Sequence, residues 1–313
     1  MGKAIVYAFI KMPAKSLNLD IPKSISDFEE VMKRFLLKKK IYRIIFRGRG
    51  LDFDGYRDFG PDEDAEAIDW KASIRGNKLL ARKYIEERDL KIIFVIDVGE
   101  NMVFGSQEKL KCEYATEVVA ALSHLIMSQN DNVGFIVFND KIKTIIPPKK
   151  GKNHFNLLMS ILSDPLLYGG KSDIGVALDY LVDYGDKSIN SVILVSDFLN
   201  IKKEDVEKLK LAASRFETLS IIIKDPLDMT LPNIEGEMII EDPISKEQMI
   251  INPKIARKTY EKYATEQEKR VLDSLTDANI DFLKLDTKEK FIYPLAIFLQ
   301  ERVESKKYSS IIR

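Results

Sequence analysis

The chain has 313 residues, with 49 basic and 49 acidic side chains, a formal net charge of zero and 45% hydrophobic content. A balanced total removes any global electrostatic pull toward nucleic acid, and the length allows two domains or one large core with an appendage. Cys112 is the only cysteine, so no intrachain disulfide can form; His124 and His154 are too few for a histidine-based metal site; and no run approaches the ~20 apolar residues of a membrane helix. The expectation is a cytoplasmic protein with no membrane segment.

In chain order, Ala4 to Ile10 is a short apolar run followed by Lys11, Pro13 and Lys15, and it reads as a first strand rather than a signal segment. Ile25 to Leu37 carries apolar residues at helical spacing, with Ser26 and Glu29 placed as a capping box. A basic run from Lys38 to Arg49 follows and reads as a solvated face. Tyr42 to Phe59 alternates loosely among glycines, as irregular β structure does, and leads into an acidic turn at Asp62 to Glu66.

From Ile92 the pattern becomes regular. Strands are expected at Ile92 to Asp97, Asn132 to Phe138, Ile142 to Ile146, Ser191 to Ser196, Thr218 to Ile223 and Ile280 to Leu285. Helices are expected between and after them, at Lys109 to Ser128, His154 to Leu162, Ile174 to Asp183, Glu204 to Ala213, Lys254 to Asp277 and Phe291 to Glu304. Apolar runs bounded by polar residues, alternating with helices, predict an α/β fold: a mainly parallel, doubly wound sheet of about six strands with an N-terminal α/β appendage. The link Asn139-Asp140-Lys141 is short enough to force a hairpin, and prolines from Pro226 to Pro253 punctuate a hairpin insertion. The expected organisation is an N-terminal segment (1–40), a second subdomain (41–90), the sheet domain (91–304) with its insertion (225–252), and a tail (305–313).

Ligands of such sheets collect where strands end and helices begin. Asp97, Gly99 and Asn101 follow the first regular strand; Gly169, Gly170, Ser172 and Asp173 precede a helix; Asp197 ends the strand Ser191 to Ser196. This set resembles the metal-ion-dependent adhesion site of von Willebrand factor type A domains, whose pattern is Asp-x-Ser-x-Ser with a distant Thr and a distant Asp. Asp97, Ser172 and Asp197 match, whereas the two serine positions hold Gly99, which has no ligating side chain, and Asn101. The resemblance implies a degraded site for Mg2+ or another divalent cation on Asp97, Asn101, Ser172 and Asp197. The other reading is helix capping and turn chemistry.

A second resemblance covers more of the chain. Gly48 to Asp89, GRGLDFDGYRDFGPDEDAEAIDWKASIRGNKLLARKYIEERD, is similar to the signature of the DUF58 family, with Gly48, Arg49, Gly50, Arg57, Asp69, Trp70 and Lys71 as its marked positions. Glu66 stands where members commonly have arginine. Downstream, DNVGFIVF from Asp131, Pro147-Pro148, Asp225-Pro226 and Glu241-Asp242-Pro243 fall in family order. Trp70, the only tryptophan, is expected as a buried wedge partnered by Asp69 and Arg57; the alternative is an exposed ledge with Arg57, Lys71 and Arg75.

The resemblance implies a non-enzymatic protein-interaction module. It would be an adaptor for a MoxR-type AAA+ ATPase or its client, docking through the strand-end rim, with Gly99, Glu100, Lys171 and Asp173 setting contacts. The alternatives are a metal-dependent hydrolase using Asp97 and Asp197, and a nucleic-acid-associated protein using Lys38 to Arg49; nucleic acid is not the expected partner.

Overall fold

The structure, a computed structural model, describes residues 16–35, 53–60, 68–84, 89–241 and 248–311. The Ala4 to Ile10 strand, the Lys38 to Arg49 run with Gly48, Arg49 and Gly50, and the acidic turn lie outside the described residues. The centre is a six-stranded sheet of order β10-β7-β6-β3-β4-β5. Its strands are β3 (Lys91–Asp97), β4 (Asn132–Phe138), β5 (Ile142–Lys149), β6 (Ser191–Ser196), β7 (Glu217–Lys224) and β10 (Asp281–Asp286). All pairings are parallel except β4 with β5, the hairpin forced by the short link. Pro147 and Pro148 are tolerated in β5 because it is an edge strand.

Helices cover both faces. On one lie α1 (Ile21–Phe35), α3 (Lys111–Ser128), α4 (Lys152–Leu162) and α8 (Ile292–Ile311), with Phe28, Val118, Leu122, Leu158, Leu295 and Leu299 packed on Phe94 and Phe135. On the other lie α5 (Ile174–Tyr184), α6 (Lys203–Arg215) and α7 (Pro253–Asp277), with Leu178, Leu181, Leu209 and Leu275 packed on Val95, Ile136 and Leu194. Strands buried on both faces need apolar residues at successive positions, as the VILV run of β6 shows. Each such side chain contributes roughly 1.5–3 kcal/mol of burial.

Two smaller pieces complete the described residues. β1 (Phe53–Asp58) pairs antiparallel with β2 (Leu80–Tyr84) across the short helix α2 (Trp70–Gly76), and β8 (Met238–Glu241) pairs with β9 (Gln248–Ile251) in the insertion. Neither α2 nor β2 was expected from the sequence. Helix α1 also differs from expectation. It begins at Ile21, because Asp20 caps it through its carbonyl to the Ser24 amide (3.0 Å) and its carboxylate to the Lys23 amide (3.3 Å). Ser26 therefore lies exposed inside the helix rather than at its cap.

Candidate functional site

Strand β3 leads on to β4 on one side and β6 leads on to β7 on the other, so the carboxyl ends of adjacent β3 and β6 form the topological switch point of the sheet. The residues that end these strands are Asp97 and the pair Ser196-Asp197, each at most 3% exposed. After β3 the chain makes a tight turn through Gly99 and a 3-10 turn (Glu100–Val103) before α3 starts at Lys111.

The expected residues do converge. Asp97 Oδ1 accepts the Gly99 amide (2.9 Å), and Asp97 Oδ2 accepts the Ser172 hydroxyl (2.8 Å), the Ser196 hydroxyl (2.7 Å) and the Asn101 amide nitrogen (3.0 Å). The same Asn101 nitrogen donates to Asp197 Oδ1 at 2.9 Å, which also accepts the Leu199 amide at 3.1 Å. Asn101 thus bridges the two strand-end carboxylates.

The remaining oxygen, Asp197 Oδ2, faces a residue that the sequence reading missed. The Lys111 ammonium lies 2.7 Å from it and 3.2 and 3.1 Å from the two oxygens of Asp228, and Lys111 is 1% exposed. Its Nζ also stands 5.5 Å from the Phe104 ring centroid. Lys224, the last residue of β7, donates to the Asp197 carbonyl at 2.8 Å. Burial works against the charged forms of Asp197 and Lys111, yet their mutual attraction wins: the Asp197 carboxyl is held below its usual range by Lys111 and Lys224, and Lys111 is held above its own by Asp197 and Asp228. Asp97 has no such partner. Burial and the neighbouring Asp197 charge push its carboxyl up. Burial and Asp197 likewise hold Asp228 up although Lys111 pulls it down.

The front of the site is a loop (Asp164 to Ser172) tied to the β3 turn by Gly169 N to Val98 O (2.8 Å), Glu100 N to Gly170 O (2.7 Å) and Asn139 Nδ2 to Gly169 O (2.8 Å). Gly169 and Gly170 take φ of +134° and +78°, which side chains rarely adopt, and this conformation turns their carbonyls inward. Outward, Gly170 and Lys171 are exposed and Leu166 is 89% exposed. Asp173 is occupied otherwise: it caps α5 through the Gly175 amide (3.0 Å) and pairs with Lys202 (2.5 Å). The capping reading therefore holds for Asp173.

Whether this rim can hold a divalent cation is decided by its lone pairs and its space. All four oxygens of Asp97 and Asp197 already accept N–H or O–H donors, an ammonium stands against one of them, and a Cβ on Gly99 would lie 2.4 Å from Asn101 Oδ1. As they stand, these residues do not fit a metal ion.

Among the signature positions, Trp70 departs from the expected buried wedge. It is 60% exposed, beside Ile74 at 80%, because α2 turns it outward while Asp69 caps the helix through the Ala72 amide (3.0 Å). Arg57, Lys71 and Arg75 are exposed, as on a ledge. Cys112 is buried on α3, and burial pushes its thiol up to about 12. Signals for two of the missed residues existed: Ser196 and Lys224 close apolar strand runs in the same way as Asp97. Lys111 gave none, since its helix carries further charges at Glu113 and Glu117.

The family model described as "Protein of unknown function DUF58" matches residues 55–270. Uncharacterised proteins of Mycobacterium tuberculosis and Mycobacterium bovis are each 25% identical over 259 residues, covering 82% of this chain and 80% of theirs. Similar solved structures include the conserved hypothetical protein BatB from Bacteroides thetaiotaomicron (TM-score 0.47, 15% identity, 69% of this chain and 99% of that one). The SpRpn10 VWA domain is another (TM-score 0.39, 12% identity, 66% and 93%). The fold is mixed α/β around a central six-stranded, mostly parallel sheet, as expected. The cytoplasmic placement expected from the sequence is withdrawn and no compartment is assigned; the similar structures include an aerotolerance-related membrane protein from Bacteroides fragilis (TM-score 0.45, 15% identity, 69% and 99%). Among the described residues, no helix is long and apolar enough to cross a membrane.

Proposed function

This chain belongs to the DUF58 family, and on that premise we propose that it is a non-enzymatic protein-interaction module whose partner is a MoxR-type AAA+ ATPase, docked on the carboxyl-end rim of the sheet. The observation that carries the reading is the contrast between the floor of the rim and its lip. The floor carboxylates, Asp97 and Asp197, are spent on internal donors, so they offer neither a nucleophile nor a base. The lip presents an exposed leucine and lysine, Leu166 and Lys171, on a loop anchored at three points. An apolar anchor and a cation carried on one preorganised loop suit an acidic, apolar-tipped element of a partner.

The test is retention of the ATPase from the same organism on the immobilised protein, with ATP and Mg2+ and without. The wild type retains it, Leu166→Asp/Lys171→Glu loses it by tenfold or more, and Lys187→Glu at the opposite end of the sheet does not. Failure of the wild type to retain the ATPase under every condition contradicts the proposal.

A further inference from the structure

We infer that the Lys111 ammonium, with the Asn101 carboxamide, is the resident cation of this rim, and that the site is assembled without a metal ion. Three independent features support this. The first is charge. Lys111 is the first residue of α3, where the helix dipole disfavours a cation, and it is buried, which disfavours it further. An ammonium persists there only because Asp197 (2.7 Å) and Asp228 (3.1 Å) surround it, on segments that follow β6 and β7. It draws together the ends of β6 and β7, while Asn101 joins the ends of β3 and β6, the pair that a metal ion joins in an adhesion-type site.

The second feature is the position of Asn101. Its nitrogen lies 3.0 Å from Asp97 and 2.9 Å from Asp197 and so bridges the two carboxylates. That placement fixes the orientation of the amide, since the reverse would set its oxygen against two acids. The cost is visible: Asn101 Oδ1 is buried with no hydrogen-bond partner among the described residues.

The third is space. A Cβ at position 99 would lie 2.4 Å from Asn101 Oδ1 and 2.8 Å from the Ser172 Cβ. The two departures from the adhesion pattern are therefore one matched change. Glycine at 99 makes room for asparagine at 101, and asparagine does with two N–H groups what a cation would do with its charge. An ammonium also lacks the open coordination position through which a partner's carboxylate could bind.

The experiment uses the whole protein and is separate from ATPase retention. Mn2+ is titrated by electron paramagnetic resonance, and melting is followed in EDTA and in millimolar Mn2+. The wild type is expected to leave Mn2+ free and to melt at the same temperature in both. Lys111→Met is expected to melt lower or to be recovered unfolded, and Lys111→Met/Asp197→Asn to regain much of the loss, because the unpaired buried charge is gone. One-to-one Mn2+ binding by the wild type with a rise in melting temperature overturns the inference. So does a double variant that melts no higher than the single one.

Discussion

Lys111 and Asp197 form the most consequential pair of the rim, and their coupling has a definite pH signature. With Lys111 present, the Asp197 carboxyl is held below its unfolded value; the stability this supplies is present above that value, near 4, and is lost as pH falls through the lower folded one. In Lys111→Met the main attraction is gone and burial remains, so the folded carboxyl rises and the sign reverses: stability falls as pH climbs past about 4. The variant is expected to be less stable than the wild type by about 3–5 kcal/mol near pH 7, as for a broken buried pair, and the gap is expected to narrow toward pH 5. Urea denaturation at several pH values measures it; a gap that does not change with pH would contradict the pairing.

Position 99 gives a second residue-level test. Gly99→Ser alone is expected to cost roughly 1–3 kcal/mol through overpacking against Asn101 Oδ1, and Asn101→Ser in the same chain is expected to relieve most of it. Equal stability of Gly99→Ser and the wild type would mean that the space is not filled as described.

At the scale of elements, what could be read from the sequence follows from how each element is stabilised. The strands and helices after Ile92 were legible because a sheet buried on both faces demands continuous apolar runs, and those runs sit where expected to within a few residues. The rim acids Asp97 and Asp197 were legible for the same reason: a charge that ends an apolar run marks a strand end. Lys111 was not, because beside Lys109 it reads as a polar helix start, and only the approach of Asp228 from the segment after β7 reveals its burial. The turn at Phe198 was equally hidden. It takes φ of +56°, which costs a non-glycine residue roughly 1–2 kcal/mol, and it lets the Leu199 amide reach Asp197.

The α2 element shows the opposite failure. A lone tryptophan is usually buried, and the sequence reading followed that rule, but Asp69 caps a helix of seven residues too short to fold its outer face inward. Trp70 fluorescence is therefore expected to be red-shifted and readily quenched by iodide in the native protein. Blue-shifted, protected emission would restore the wedge.

For the molecule as a whole, the doubly wound sheet places one rim where loops from both faces meet, and the proposed docking uses that rim. Its floor is closed by internal charges, and its lip, from Leu166 to Lys171, is open to a partner. The partner's identity was never written in periodicity or composition, since a rim of this geometry specifies chemistry rather than a name. The most direct measurement is a hydrogen-exchange footprint of the ATPase on the full chain. Protection is expected across 99–107 and 164–172, with the β8–β9 hairpin unchanged. Protection confined to that hairpin or to α7, or none anywhere, would contradict docking on the rim.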